Sequence, residues 1–178
     1  MKHKGTQTIE TDRLILRQFK ISDAADMFKN WASDDEVTKY LTWPTHSDIA
    51  CSEAVLADWV ASYVNEDKYE WCIELKEIGQ AIGSIGGFDI NDKVESVVIG
   101  YCISRKYWHQ GIASEALAAI IKYFFEEVDM KRIVSYHDAA NPNSGKVMQK
   151  CGMTYEGIGR KSDWNNTGVC DTVYYAIL

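Results

Sequence analysis

"YWHQGIASEALAAII" spans Tyr107–Ile121, and "VVIGYCIS" (Val97–Ser104) leads towards it. The leading segment is apolar and rich in β-branched residues, as a buried strand is. The quoted stretch starts polar around one glycine, Gly111, and then turns apolar and alanine-rich. Ile112, Ala116, Leu117, Ile120, Ile121 and Phe124 fall close to one face at helical spacing, which predicts a helix over about Gly111–Glu127. "RIVSYH" (Arg132–His137) follows as a further strand. Two strands joined by a crossover helix must run parallel, with a right-handed connection.

Outward from this unit the pattern is antiparallel. "YEWCIEL", "AIGSIGGFDI" and "ESVVIGYCI" are three strands in succession, with "KEIGQ" and "NDKV" as turns. Before them, "RLILRQF" (Arg13–Phe19) alternates as a half-buried strand does. "SDAADMFKNWA" reads as a helix with Ser22 as N-cap, and "THSDIACSEAVLADWVASYV" as a second helix. After them come a short helix, "PNSGKVMQKC", and two closing strands, "GMTYEGIGR" and "VCDTVYYAIL". The expected fold is α/β (α+β), with a mixed, mostly antiparallel central sheet of about seven strands and helices on both faces. One domain, 1–178, accounts for the whole length, because no linker divides the chain.

Composition narrows the function. Net charge is −7, which disfavours nucleic acid as a partner, since phosphate contacts need a basic surface. It tolerates a cationic amine. No apolar run reaches membrane-spanning length and the first residues lack a signal-peptide core, so a cytoplasmic protein is expected. The five cysteines are widely spaced without a CxxC, and the four histidines form no metal motif. Reduced thiols and no metal are expected. The sequence leaves a homodimer open.

A helix start carries unpaired N–H groups and a positive dipole end, which suit phosphate oxygens. The amides from His109 to Ser114 are the candidate donors here, with Glu115 expected to point away. Gly111 as a plain strand-to-helix turn is the competing reading. The pattern is neither GxxxxGK[ST] nor GxGxxG, so neither a P-loop nor a dinucleotide fold is expected. In "NPNSGKVMQKCGMTYEG", Asn141 has N-cap chemistry and Ser144 lies in the first turn of a helix.

Together the two segments resemble the GNAT superfamily of N-acetyltransferases, in the branch similar to ribosomal-protein N-terminal acetyltransferases (RimJ/RimL-like). "WHQGIA" (Trp108–Ala113) is similar to the phosphate loop [Q/R]-x-x-G-x-[G/A], with Trp108 at the first position. "NPNSGKVMQKCGM" is similar to the branch's N-x-x-S-x-x-[V/L]-[M/L]-x-K-x-G-[F/M] segment. The resemblance runs from about Ile9 to Leu178.

It implies acetyl-CoA as cosubstrate and transfer to a primary amine, on a protein N-terminus or a small molecule, by direct attack in a ternary complex. The pyrophosphate would sit on the amides of His109, Gln110, Gly111, Ile112, Ala113 and Ser114. The pantetheine arm would lie between the Val97–Ile103 and Arg132–His137 strands, bonded by backbone groups of Tyr101, Cys102 and Ile103. Asn141 and Ser144 would face the thiol. Two family positions differ. Val98 stands where many members carry a glutamate, and Met148 where many carry an acidic tyrosine. Ser144 is then the candidate acid, and Glu95, Glu70 and His137 are the candidate bases. Without the family's proton carriers, a non-catalytic acyl-CoA-binding module is the alternative. Cys102 and Cys151 have apolar neighbours and read as structural thiols. Trp43, before Pro44, is the tryptophan expected to face substrate.

Overall fold

Glycine at 111 sets the start of the central helix. Its φ of 77° is a left-handed conformation that L side chains rarely adopt. The computed structural model describes Met1–Leu178. Its strands are β1 (Ile9–Glu10), β2 (Leu14–Arg17), β3 (Tyr69–Leu75), β4 (Gln80–Asn91), β5 (Ser96–Ile103), β6 (Arg132–Asp138), β7 (Thr154–Asn165) and β8 (Gly168–Ile177). Its α-helices are α1 (Ala24–Met27), α2 (Asp35–Thr38), α3 (Ile49–Ser62), α4 (Ile112–Glu126) and α5 (Pro142–Lys150). The strands form one eight-stranded sheet in the order β1-β2-β3-β4-β5-β6-β8-β7. Every pair is antiparallel except β5–β6, the pair flanking α4. The strand beyond the expected seven is β1, two residues long at the sheet edge.

The apolar face of α4 is the one its spacing predicts. Ile112, Ala116, Leu117, Ile120, Ile121 and Phe124 are all buried and join a 25-residue core with Tyr69, Trp71, Ile85, Val97 and Ile133 on one sheet face. Close approach to β4 depends on a missing side chain. A Cβ on Gly87 would come within 2.7 Å of the Phe124 ring. The opposite face carries a second core of nine residues, including Phe19, Met27, Trp31, Leu56 and Cys72, beneath α1 and α3.

The first helix departs from expectation. A 3-10 turn (Ile21–Asp23) leads into α1, which widens into a π-helical turn over Phe28–Ala32. Asp23, rather than Ser22, closes its start. The Lys20 N–H donates to Asp23 Oδ2 at 2.7 Å, and Arg17 pairs with both carboxylate oxygens. A buried ion pair supplants the capping serine because Asp23 is already fixed by Arg17. No helix is long and apolar enough to cross a membrane.

Candidate active site

The sheet opens in its middle. β5 and β6 pair only through Ser96↔Arg132, Val97↔Ile133 and Val98↔Val134. The next bond is made by a side chain, as the Ser135 hydroxyl donates to the Ile99 carbonyl at 2.8 Å. Beyond it the strands are unpaired. The Ser104 N–H bonds the Ile82 carbonyl of β4. Alternation along an antiparallel ladder then turns the backbone groups of Cys102 towards β4 and those of Tyr101 and Ile103 towards the gap. The Ile103 carbonyl is taken by the Trp108 indole N–H at 3.0 Å. Free groups facing the gap are thus the Tyr101 N–H and carbonyl and the Ile103 N–H. The Cys102 backbone, expected among them, belongs to the β4 ladder.

The gap leads to the start of α4. None of the N–H groups of His109, Gln110, Gly111, Ile112, Ala113 and Ser114 has a partner in the protein; the first helical bond is from Glu115 to the Gly111 carbonyl. His109 (φ 60°) and Gly111 (φ 77°) are both left-handed, which turns successive N–H groups the same way. Glu115 points away from the loop. Its carboxylate accepts from the Thr11 hydroxyl at 2.6 Å and from the Arg13 side chain at 2.6 Å. Arg13 in turn donates to the Gln110 carbonyl at 2.9 Å, holding that oxygen away from the row of amides.

Two cations border the loop that residue-by-residue reading of the motifs passed over. A Cβ on Gly111 would lie 3.5 Å from both Arg13 Nη2 and Lys150 Nζ. Arg13 is already paired with Glu115, while Lys150 has no carboxylate partner. The signal for Lys150 was the lysine in the "NPNSGKVMQKCGM" pattern. Six free amides, a helix dipole and an unpaired ammonium together have the chemistry of an anion site.

Across the gap, Asn141 occupies the N-cap position of α5 but makes no side-chain cap. Its Nδ2 donates to Ser144 Oγ at 3.0 Å instead. That bond uses a lone pair of the serine and leaves its O–H free to donate. The Tyr101 phenol donates to the Ser144 carbonyl at 2.9 Å, tying β5 to α5. Burial pushes that phenol far above its ordinary range, so it acts as a strut rather than an acid.

The three candidate bases separate cleanly. Glu95 lies at the β4–β5 turn, where it accepts from the Met1 ammonium at 2.8 Å. It is six residues from Tyr101, roughly 20 Å along an extended strand, and lies outside the cleft. His137 faces the wrong way. Its Nδ1–H donates to the Asp138 carbonyl at 2.7 Å, and its buried Nε2 abuts Gly145, where a Cβ would come within 2.5 Å. Helix α5 therefore covers it. Of the two candidate carboxylates, Glu70 is the one that lines the cleft. It stands on the same sheet face as Val98, in a row Glu70↔Gly86↔Gly100 across β3, β4 and β5. Its side chain lies over Gly86, where a Cβ would be 2.6 Å from Oε2. Desolvation by burial pushes the carboxyl up to about 7, with Lys68 opposing weakly. Nothing in the sequence alone distinguished Glu70 from Glu95, since both are strand carboxylates.

A cleft of about 700 Å³ joins these parts. Trp43 lines it, while Trp31 and Trp71 are fully buried in the cores. The Cys102 thiol is pushed up to about 11 by burial and lies 3.5 Å from Ser84 Oγ, and Cys151 Sγ contacts the Ser114 carbonyl. Burial raises both thiols, and the Glu70 carboxylate near Cys102 raises that one further, so neither is held as a nucleophilic thiolate.

Known proteins share this sequence pattern and this fold. The family model "Acetyltransferase (GNAT) domain" matches residues 13–154. The chain is 32% identical over 170 residues to the "Uncharacterized N-acetyltransferase YoaA" of Bacillus subtilis (strain 168), covering 96% of each chain. It superposes on an acetyltransferase (GNAT family) from Bacillus anthracis with a TM-score of 0.84 at 27% identity, covering 97% of this chain and 98% of that one. The fold is shared with the Microcin C7 self immunity acetyltransferase MccE, solved in complex with acetyl-CoA and AMP, at a TM-score of 0.84 and 20% identity over 94% and 93% of the two chains.

Proposed function

Since the chain belongs to the GNAT acetyltransferase family and is an acetyl-CoA-dependent N-acetyltransferase, we propose that Glu70 and Ser144 carry the proton transfers of direct acetyl transfer to a primary amine. The carrying observation is the unpartnered Glu70 carboxyl, held near neutrality over Gly86 in the row of Gly100. In this reading the amides from His109 to Ser114, with Lys150, hold the pyrophosphate. The Tyr101 and Ile103 N–H groups face the pantetheine arm and the thioester carbonyl.

An ammonium has no lone pair with which to attack, so a proton must leave first. A carboxylate with a pKa of about 7 is matched to that task, directly or through one water. Attack on the thioester carbon places negative charge on the carbonyl oxygen, and a fixed backbone N–H in the gap stabilises it. Collapse breaks the C–S bond. The proton shed by the attacking nitrogen on C–N bond formation passes through the Ser144 hydroxyl, whose lone pair also accepts from Asn141, to the departing thiolate, so the serine is left neutral. No enzyme nucleophile is required, because the cleft holds both reactants together. The Val98 position lacks the family's glutamate, yet Glu70 brings a carboxylate to the same face from β3. That removes the motive for a non-catalytic module.

The test is release of free CoA thiol from acetyl-CoA across a panel of amines. Acceptor-dependent release is expected. Tight acetyl-CoA binding with no release for any amine would overturn the proposal. Ser144→Ala is expected to lower kcat about tenfold with acetyl-CoA affinity held within about twofold; wild-type turnover would remove Ser144 as the acid. Lys150→Ala is expected to raise the KM for acetyl-CoA about tenfold, one charge-assisted contact being worth about 1.5 kcal/mol. An unchanged KM would take Lys150 out of the phosphate site.

A further inference from the structure

Charge in the cleft is divided by end. The α4–α5 end carries Lys146, Lys150 and His109, which suits phosphates. The face beneath α1–α3 carries Glu36, Glu70, Asp138 and Asp163, with Lys39 the only lysine on that side. This division is independent of the proton chemistry assigned to Glu70.

The acidic side has an internal order. Glu70 stands on β3 over Gly86, and Phe88 of β4 covers Gly100, where a Cβ would be 3.0 Å from its ring. Phe88 meets Tyr136 of β6 edge-on at 6.4 Å between centroids. Burial raises the Tyr136 phenol pKa, and the nearby Asp163 carboxylate, with Asp89, adds to that shift. A carboxylate thus stands at each end of an aromatic floor. Asp138 is already committed, accepting from the Ala140 N–H at 2.8 Å and from Asn165 Nδ2 at 2.7 Å. Asp163 accepts from the Trp164 N–H alone at Oδ1, and its Oδ2 is left without a partner in the protein. Glu70 stands on β3 and Asp163 on β7, so the two carboxylates flank the β5–β6 gap from opposite sides.

This side is also roofed. The β7–β8 turn is fastened to the loop after α2 by three bonds from one residue. The Asn166 N–H donates to the Leu41 carbonyl at 3.0 Å, and its Nδ2 to the carbonyls of Thr38 at 2.9 Å and Trp43 at 2.8 Å. Leu41, Trp43, Trp164 and Asn165 all line the cleft, so the clasp joins two stretches of its lining into a closed ring of chain. A slender molecule passes through such a ring, and an amine borne on a folded protein body does not approach its far end.

We infer that the acceptor is a small, elongated amine carrying a second positive charge remote from the reacting nitrogen, with Asp163 holding the remote cation and Phe88 and Tyr136 supporting the chain between. Aromatic faces bind both methylene chains and ammonium groups, and a carboxylate with a free oxygen fixes the far end. The inference rests on the amine-acetylation reading of the cleft and goes beyond it by naming the acceptor class and excluding protein amino termini.

The experiment compares chain-matched probes in the thiol-release assay: α,ω-diaminoalkanes, n-alkylamines, ω-amino acids, and short peptides with free amino termini. Across a series of increasing chain length, the best diamine is expected to show kcat/KM at least tenfold above the alkylamine of the same length, with ω-amino acids lowest. In Asp163→Asn the diamine is expected to fall to the alkylamine level, mainly through KM, with calorimetric acetyl-CoA binding as the folding check. Equal rates for diamine and alkylamine, or a peptide outperforming every small amine, would overturn the inference and leave amine acetylation standing. Release with no amine at all would overturn both. An unchanged diamine KM in Asp163→Asn, where acetyl-CoA still binds, would remove Asp163 from the site.

Discussion

Gly111→Glu is expected to abolish measurable acetyl-CoA binding, a loss of at least 100-fold by titration calorimetry, or about 2.7 kcal/mol. Three effects add in one direction. The left-handed φ of 77° disfavours any L side chain by about 1–2 kcal/mol. The new carboxylate would repel a phosphate on the neighbouring amides. It would also be drawn to Arg13 and Lys150, whose nitrogens stand 3.5 Å from the position its Cβ would take. The variant would therefore fill its own anion site. Gly111→Ala separates the contributions, since it carries the backbone strain without the charge, and is expected to lose far less affinity. A folded Gly111→Glu protein with unchanged affinity would put the pyrophosphate elsewhere.

Glu70→Gln is expected to lower kcat/KM for the amine by 10²–10³, in the range of a lost general base. The wild-type pH profile should rise through about 7 as the Glu70 carboxyl ionises, and the variant should lose that limb. Stability should move differently. The folded pKa lies above the unfolded value of about 4.3, so the group's contribution to stability is full at low pH. It is lost as pH rises to about 7, where the buried charge has formed. Glutamine carries no such charge. The variant should melt no lower than wild type at pH 8, while a structural carboxylate would leave a less stable protein. A wild-type profile in Glu70→Gln would reassign the base.

Much of the fold was readable because periodicity and connection length constrain it. The parallel β5–β6 pair followed from a crossover helix, and the buried face of α4 from six residues at helical spacing. The two-residue β1 has too few residues for any period, and the π-helical turn at Phe28–Ala32 is a packing outcome beneath Trp31. The site divides the same way. The amide row at His109–Ser114 is local backbone geometry and so is written in a short motif. Glu70 and Glu95 are chemically alike, and only strand register separates a carboxylate over Gly86 from one pairing the Met1 ammonium. Whether an amide of Tyr101, Cys102 or Ile103 faces the gap depends on ladder parity, which no residue type encodes. Arg13 reaches the loop from the residue before β2, 97 positions from Gln110 in sequence, and no local pattern announces it.

The two ends of the cleft also differ in where they lie along the chain. The phosphate end comes almost wholly from Val97–Lys150, one continuous stretch folded as strand, helix, strand and helix. The acceptor end is gathered from α2, β3, β6 and the β7–β8 turn, with Asn166 closing contacts over more than 120 residues. Variation at the turn therefore leaves the donor half untouched. A lineage built on this plan is free to exchange one acceptor for another by drift in a surface hairpin, while the acetyl-CoA cradle is inherited unchanged.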